Sequence, residues 1–393
     1  MLIGAHVRGG GPLTARLDRG VELGADAVQI FTQSPRAWKP TQYAPDVLAA
    51  YRDAARAHET VRATFAHATY LINLAGTDDA LLAKSLECLV ANLSVARGMG
   101  ASGLVLHVGS HHGTGLDDAL PRIASALSVA LDQADDPEED DLPACPILLE
   151  NAAGGGGTVG RTLEELECVL DAVGRDERVG VCIDTQHLWA SGVDYSTIAG
   201  ADAVIEEVEA RFGLTRLGCL HLNDSKVPFG SNRDRHENPG DGSIGSDGLA
   251  AFIGHPALAR VPALLEVPGV GDGPRAEDVA AARSILARGE AMRSGGAARP
   301  GSTNRAATAS KQPTKRTTTA ATRPAKRAGG AAKATPAKRA TTALKSTTTK
   351  RATASPASTA PTSTTKSKPT TRSKPTAGRP AMGATSPRRK AGS

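Results

Sequence analysis

Nine side chains in this sequence are of the types that hold metal ions or move protons, and their placement follows a rule. His67, His107, Glu150, Asp184, His221 and Glu266 each close a short apolar run. His187 follows Asp184 by three residues, and Asp234 and His236 lie in the long loop after the run that ends on His221. Alternate residues of an extended loop point the same way, so Asp234 and His236 can grip one ion together with His187. Imidazole and carboxylate without thiolate suit Zn2+ or Mn2+ better than a soft metal or a cluster. One ion takes about three or four protein ligands. Nine donors, with some carboxylates shared, therefore suit two or three ions. Closely spaced divalent ions serve in-line phosphoryl displacement, because they supply hydroxide at neutral pH and stabilise the leaving oxygen. A neutral sugar needs no such charge, so the set points to a phosphodiester.

The elements that must bring these residues together are eight apolar runs within the first 270 residues. Seven end on His6, His67, His107, Glu150, Asp184, His221 and Glu266; the eighth, Ala27-Val28-Gln29-Ile30-Phe31, leads into a polar, basic loop. Helical periodicity fills the intervals at 13–23, 46–58, 78–99, 117–132, 162–173, 201–212, 246–253 and 276–290. Strict strand-then-helix order predicts a parallel sheet with right-handed crossovers. An open doubly wound sheet would concentrate ligand-type residues near its switch point. Their presence at nearly every strand end instead predicts a (β/α)8 TIM barrel, whose strand C-termini converge on one mouth.

Composition divides the chain in two. From residue 301 onward there are 21 Lys and Arg and no Asp or Glu, leaving 25 basic against all 41 acidic residues ahead of it, a net of −16. All eleven aromatic residues lie at or before Phe252. Residues 1–292 thus read as one acidic globular domain and 293–393 as a basic Lys/Arg/Pro/Ala/Thr-rich tail, expected to be disordered because it has too little apolar surface to offset backbone ordering. The acidic run 135–141 reads as a solvated loop. Five cysteines without a C-x-x-C pair predict reduced, mostly buried thiols. No apolar stretch approaches the roughly 18 residues of a membrane span, and no leader pattern precedes the first strand. A cytoplasmic, nucleoid-associated monomer is expected.

The strand-end motifs resemble those of the endonuclease IV family, zinc-dependent apurinic/apyrimidinic endonucleases of base-excision repair. The resemblance rests on Gly4-Ala5-His6-Val7, His67-Ala68-Thr69-Tyr70-Leu71-Ile72-Asn73-Leu74, His107-Val108-Gly109-Ser110-His111 and Leu149-Glu150-Asn151. It continues through Val181-Cys182-Ile183-Asp184-Thr185-Gln186-His187, Leu220-His221-Leu222-Asn223-Asp224-Ser225-Lys226, Asp234-Arg235-His236, Gly240-Asp241-Gly242-Ser243-Ile244-Gly245 and Leu265-Glu266. It implies three Zn2+ per chain, with Mn2+ an alternative. His67 and His107 would hold the first and share Glu150 with the second; Asp184, His221 and Glu266 would complete the second; His187, Asp234 and His236 would hold the third. Glu150 is then the catalytic bridge between the ions that carry the nucleophilic hydroxide. The implied reaction is hydrolysis 5′ to an abasic site in duplex DNA, leaving a 3′-hydroxyl and a 5′-deoxyribose phosphate, with trimming of blocked 3′ ends.

An abasic nucleotide must be swung out of bent DNA to reach such a mouth. By the resemblance, Arg36, Tyr70 and Leu71 are the inserting residues. His6 and Arg8 are further candidates for phosphate contact, His6 alternatively bracing a ligand, and Trp38 is either a base-stacking or a packing residue. His111, Asn151 and Asn223 are placed to orient the ligands, while His58, His112 and His255 read as ordinary surface residues. Val108 and Gln186 depart from the family pattern, which usually has Pro and frequently Cys there, and neither change removes a ligand. Two alternatives stand beside this reading. A metal-dependent sugar isomerase or epimerase on the same barrel would use Glu150, Asp184, His221 and Glu266 and leave the other five donors unexplained. A DNA-architectural protein would act through its tail, which is expected to bind duplex without sequence preference and with steep salt dependence.

Overall fold

The computed structural model describes residues 1–134, 142 and 144–296. The acidic run 135–141 and residues 297–393 of the expected tail lie outside the described residues; the first four residues of that tail, 293–296, belong to the last helix. All eight apolar runs form strands: β1 (Ile3–His6), β2 (Ala27–Phe31), β3 (Ala63–His67), β4 (Leu104–Leu106), β5 (Ile147–Glu150), β6 (Val179–Asp184), β7 (Leu217–His221) and, after a small hairpin, β10 (Ala263–Leu265). They pair in parallel in chain order, and β1 pairs with β10, with Gly4 opposite Leu264, to close the barrel.

Helices α1 (Ala15–Glu22), α2 (Pro45–Ala57), α3 (Asp79–Gly98), α4 (Leu116–Ala134), α5 (Leu163–Ala172), α7 (Ile198–Arg211), α8 (Gly245–Ile253) and α9 (Ala276–Gly296) alternate with the strands. Their starts are chemically marked: Asp78 accepts from the amides of Ala80 and Leu81 to open α3, and Thr162 accepts from Glu165 to open α5. α9 runs on through Gly296, past the expected boundary at residue 292. Two elements are not marked by periodicity. α6 (Thr185–Ser191) starts directly at the end of β6, and β8 (Asp224–Ser225) pairs antiparallel with β9 (His236–Glu237) in the loop after β7.

The barrel interior has two levels of side chains on seven of its eight strands, β2 to β7 and β10. Ala27, Phe65, Val105, Leu148, Cys182, Cys219 and Leu264 form a buried cluster separate from the strand–helix core. Two residues further along, on the same face by strand periodicity, stand Gln29, His67, His107, Glu150, Asp184, His221 and Glu266. Leu148 fills the floor because Gly103, Gly180 and Gly218 around it carry no side chain. A Cβ at these positions would stand 2.6, 2.9 and 2.6 Å from the Leu148 methyls. All five cysteines are free; Cys88, Cys145, Cys182 and Cys219 are buried and Cys168 is partly so. No helix among the described residues is long and apolar enough to cross a membrane.

Candidate metal centre

The strand C-termini bring the nine candidate donors to one end of the barrel. Glu150, fully buried, is the hub. Its Oε2 lies 3.3 Å from His67 Nε2 and 3.2 Å from His107 Nε2, and its Oε1 lies 2.9 Å from His221 Nδ1. His221 Nδ1 also faces Glu266 Oε2 at 3.2 Å and Asp184 Oδ2 at 3.8 Å. On the far side, His236 Nε2 approaches Asp184 Oδ2 at 3.7 Å. Asp234 spans His236 Nε2 at 3.1 Å and His187 Nε2 at 3.5 Å. Among the described residues, three groups made of nitrogen and oxygen donors alone are close enough to hold an ion: His67, His107 and Glu150; Glu150, Asp184, His221 and Glu266; and Asp184, His187 and His236. In the third, Asp184 stands where the sequence reading put Asp234, which lies over the two imidazoles from its half-exposed loop.

The ring nitrogens are sorted by oxygens that can only accept. His67 Nδ1 donates to the carbonyl of Ala68 at 2.7 Å, His187 Nδ1 to that of Asn151 at 2.9 Å, and His236 Nδ1 to that of Glu266 at 3.0 Å. Each leaves Nε2 turned toward carboxylates, the tautomer a metal ligand needs. Among the described residues, His67 Nε2, His187 Nε2, His236 Nε2 and Glu150 Oε2 are buried and complete no aligned hydrogen bond. Buried polar atoms ordinarily find partners. Orphans converging from two strand ends, a helix and a hairpin therefore fit a divalent cation, and the all-nitrogen-and-oxygen donor set fits zinc or manganese.

Electrostatics agree. Burial alone would raise the Glu150 carboxyl, but His107 and His221 outweigh it and hold it well below the usual carboxylate range. Burial pulls His187 down, yet Asp184 and then Asp234 carry it well above an ordinary imidazole. His236, opposed by burial but facing Asp184 and Asp234, sits at about 9. Cys182, Cys219 and His221 also come close together. Both cysteines belong to the buried apolar cluster of the barrel floor, and burial pushes the Cys182 thiol well up.

The orienting residues act mainly through backbone. Asn151 donates to the Asp184 carbonyl at 3.2 Å and accepts from its amide at 2.6 Å; Asn223 donates to Asp184 Oδ2 at 2.6 Å and accepts from the Glu266 amide at 2.8 Å. His111 fixes its own loop, accepting from Gly113 and Gly115. His6 reaches a candidate donor: its Nδ1 lies 3.0 Å from Glu266 Oε1. His58 and His255 cap backbone amides at Val61 and Ala257, while His112 is exposed. Sequence reasoning missed Asp224, whose buried carboxylate accepts from the amides of Ser225, Gly240, Gly242, Ile244 and Gly245 and so secures the loop beyond His236. It also missed Gln29, the polar inward residue of β2, though a lone glutamine inside an apolar run was a usable signal.

Around the mouth, Tyr70 is half exposed, its ring 5.3 Å from Phe31, 5.5 Å from His67 and 6.3 Å from His107. The Pro35 carbonyl accepts from Thr69 Oγ1 at 2.6 Å and from the Tyr70 amide at 3.2 Å, tying the exposed Arg36 loop to the Tyr70–Leu71 loop. Trp38 packs against the core with Lys84 Nζ 4.8 Å above its ring, which assigns it to packing. Arg8 is exposed. A cavity of about 420 Å³ opens beside the centre between Tyr70, Leu71, His107, Ala153, His187 and Asp234.

Residues 17–288 match the xylose isomerase-like TIM barrel family. The chain is similar to the probable endonuclease 4 of Methanoculleus marisnigri, 37% identical over 261 residues, covering 66% of this chain and 90% of that one. It is likewise similar to the probable endonuclease 4 of Halorhodospira halophila, 40% identical over 257 residues, covering 65% and 84% respectively. Among solved structures, endonuclease IV from Thermus thermophilus superposes with a TM-score of 0.62 at 30% identity, over 73% of this chain and 99% of that one. A closed eightfold barrel and a likeness spanning nearly the whole length of these relatives place the chain in the endonuclease IV family.

Proposed function

We propose that this protein is a metal-dependent abasic-site endonuclease that hydrolyses the phosphodiester 5′ to the lesion, leaving a 3′-hydroxyl and a 5′-deoxyribose phosphate, and that it also trims blocked 3′ ends. The observation carrying this reading is the convergence of eight nitrogen and oxygen donors in three overlapping groups, with Asp234 beside the third, whose free imidazole nitrogens face carboxylates. His67, His107 and Glu150 would hold one Zn2+, Glu150, Asp184, His221 and Glu266 a second, and His187 and His236 with Asp184 or Asp234 a third. Bound divalent ions supply a nucleophile at neutral pH and charge stabilisation for a phosphoryl group.

The chain's own residues do the rest. Glu150, shared by two groups, fixes the spacing of the ions. The carbonyls of Ala68, Asn151 and Glu266 hold three imidazoles in the ligand tautomer. The cavity beside His107 suits a deoxyribose that has no base, and Tyr70 and Leu71 at its rim suit the gap such a nucleotide leaves in the stack. Arg36 and Arg8 offer cations to flanking phosphates. The tail from 293 onward would add nonspecific attraction to duplex, which the acidic domain otherwise lacks.

The test is a duplex carrying one tetrahydrofuran abasic analogue, in buffer without magnesium. That analogue cannot undergo β-elimination, so only hydrolysis can cut it. Cleavage on its 5′ side with a 3′-hydroxyl product is expected from protein carrying zinc, and its loss on chelation with recovery on zinc. Intact duplex after incubation with folded, zinc-carrying protein overturns the reading.

A further inference from the structure

At the polar level of the barrel two inward residues, His6 and Gln29, are not among the nine candidate donors, and Gln29 is the amide of the pair. It is fully buried on β2, next to His6 in register with β1. Its Oε1 lies 3.0 Å from His221 Nε2, and its Nε2 lies 2.7 Å from Glu266 Oε1 and 3.0 Å from His6 Nδ1. The carboxamide orientation is self-determined. Turned over, it would press its oxygen against the Glu266 carboxylate at hydrogen-bond distance and its NH2 against His221.

An amide oxygen can only accept, so His221 must carry its proton on Nε2. That leaves the lone pair on Nδ1, the nitrogen facing Glu150 Oε1, Glu266 Oε2 and Asp184 Oδ2. A lone pair directed at three carboxylate oxygens is the arrangement that a cation standing between them would satisfy. The other imidazoles with a committed ring nitrogen are sorted by main-chain carbonyls; His221 is sorted by a side chain that can be changed. That side chain also donates to Glu266, another candidate donor of the same group.

We infer that Gln29 is a positioning residue of the metal centre, fixing the tautomer of His221 and the orientation of Glu266 so that both present a donor to the same ion. The inference rests on the reading of the nine donors as metal ligands. Removing the acceptor frees the His221 ring to reverse its tautomer or turn, and loosens Glu266 in the same stroke.

The experiment titrates full-length, zinc-loaded protein with a chelator, reading retained zinc by elemental analysis and apo-protein stability by thermal melting. Gln29→Met, unbranched and of similar length, should release one class of zinc at a chelator concentration about 10- to 100-fold lower than wild type, the scale for partners behind a ligand. Its remaining zinc and its apo melting curve should match wild type. Gln29→Glu keeps an acceptor for His221 and should release zinc later than Gln29→Met. A Gln29→Met profile identical to wild type overturns the inference while the metal centre stands. Wild-type protein that retains no zinc overturns the reading beneath it as well. Should Gln29→Met not fold, Gln29→Glu decides. Release within about tenfold of wild type supports the acceptor role, and release as early as from His221→Asn overturns it.

Discussion

Asp184 Oδ1 accepts from the backbone amide of His187 at 2.8 Å, so one candidate ligand caps the helix that carries another. The side chain has two duties that substitution can separate. Asp184→Asn keeps the cap and loses the anion; Asp184→Ala loses both. In metal-free protein, urea denaturation should show Asp184→Asn near wild type and Asp184→Ala less stable by about 1 kcal/mol, the usual worth of such a cap. Both should fall short of wild type in zinc content.

Glu150→Gln removes the anion shared by two groups of donors. Strand scission at a tetrahydrofuran site should fall by about a thousandfold, the effect of losing several kcal/mol of charge stabilisation. Tyr70→Ala should mainly weaken binding of the lesion duplex and spare turnover at saturation. Near-normal turnover in Glu150→Gln would contradict the placement of the centre.

Asp26 gives a pH-dependent prediction away from the centre. Its carboxylate accepts from the Ile3 amide at 3.0 Å and pairs with Arg283 of α9 at 2.9 Å, clamping the start of β1 to the last helix. Burial raises this carboxyl, but Arg283 and the Ile3 amide outweigh it and the net shift is downward. A depressed folded value means stability that is present above the unfolded value, near 3.9, and lost as pH falls through the lower folded value. Asp26→Asn should cost about 1 kcal/mol at pH 7, allowing for solvent screening at the partly exposed arginine. The gap should persist to about pH 5 and close below pH 4 in denaturation curves.

Deleting residues 301–393 removes 21 cations. The log–log salt dependence of undamaged-duplex binding should flatten by about 0.9 for each phosphate the shortened chain no longer neutralises, with turnover at saturating substrate unchanged. An unchanged slope would show that the tail does not engage DNA.

The barrel was legible because its signal is local and repeated: an apolar run, then a ligand, then a helix. Every one of the eight runs forms a strand, and the strand ends bring the candidate donors to one end of the barrel. Asp234 is placed differently from the rest. It sits within 3.5 Å of both imidazoles but on a half-exposed loop, whereas Asp184, anchored at a buried strand end, joins two groups at once. α6 escaped periodicity since Thr185, Gln186, His187 and Leu188 are all buried, leaving no polar face to mark a helix. The β8–β9 hairpin is too short to alternate. Asp224 drew no notice because four of its five amide partners lie 16 to 21 residues away. Gln29 lies on β2, which like β1 does not end on one of the nine donors, so its only mark in the sequence is a lone glutamine inside an apolar run.

The glycine collar around Leu148 bears on residues that touch no ion. Leu148 and Glu150 are successive inward side chains of β5, so the depth at which the leucine seats governs the height of the shared carboxylate above it. Gly218→Ala would push on Leu148 from below and should destabilise the protein by about 1–3 kcal/mol, as overpacking does. The lower storey thus acts as a shim: the spacing of the candidate donors in this barrel can be adjusted from beneath, by bulk alone, with every donor unchanged.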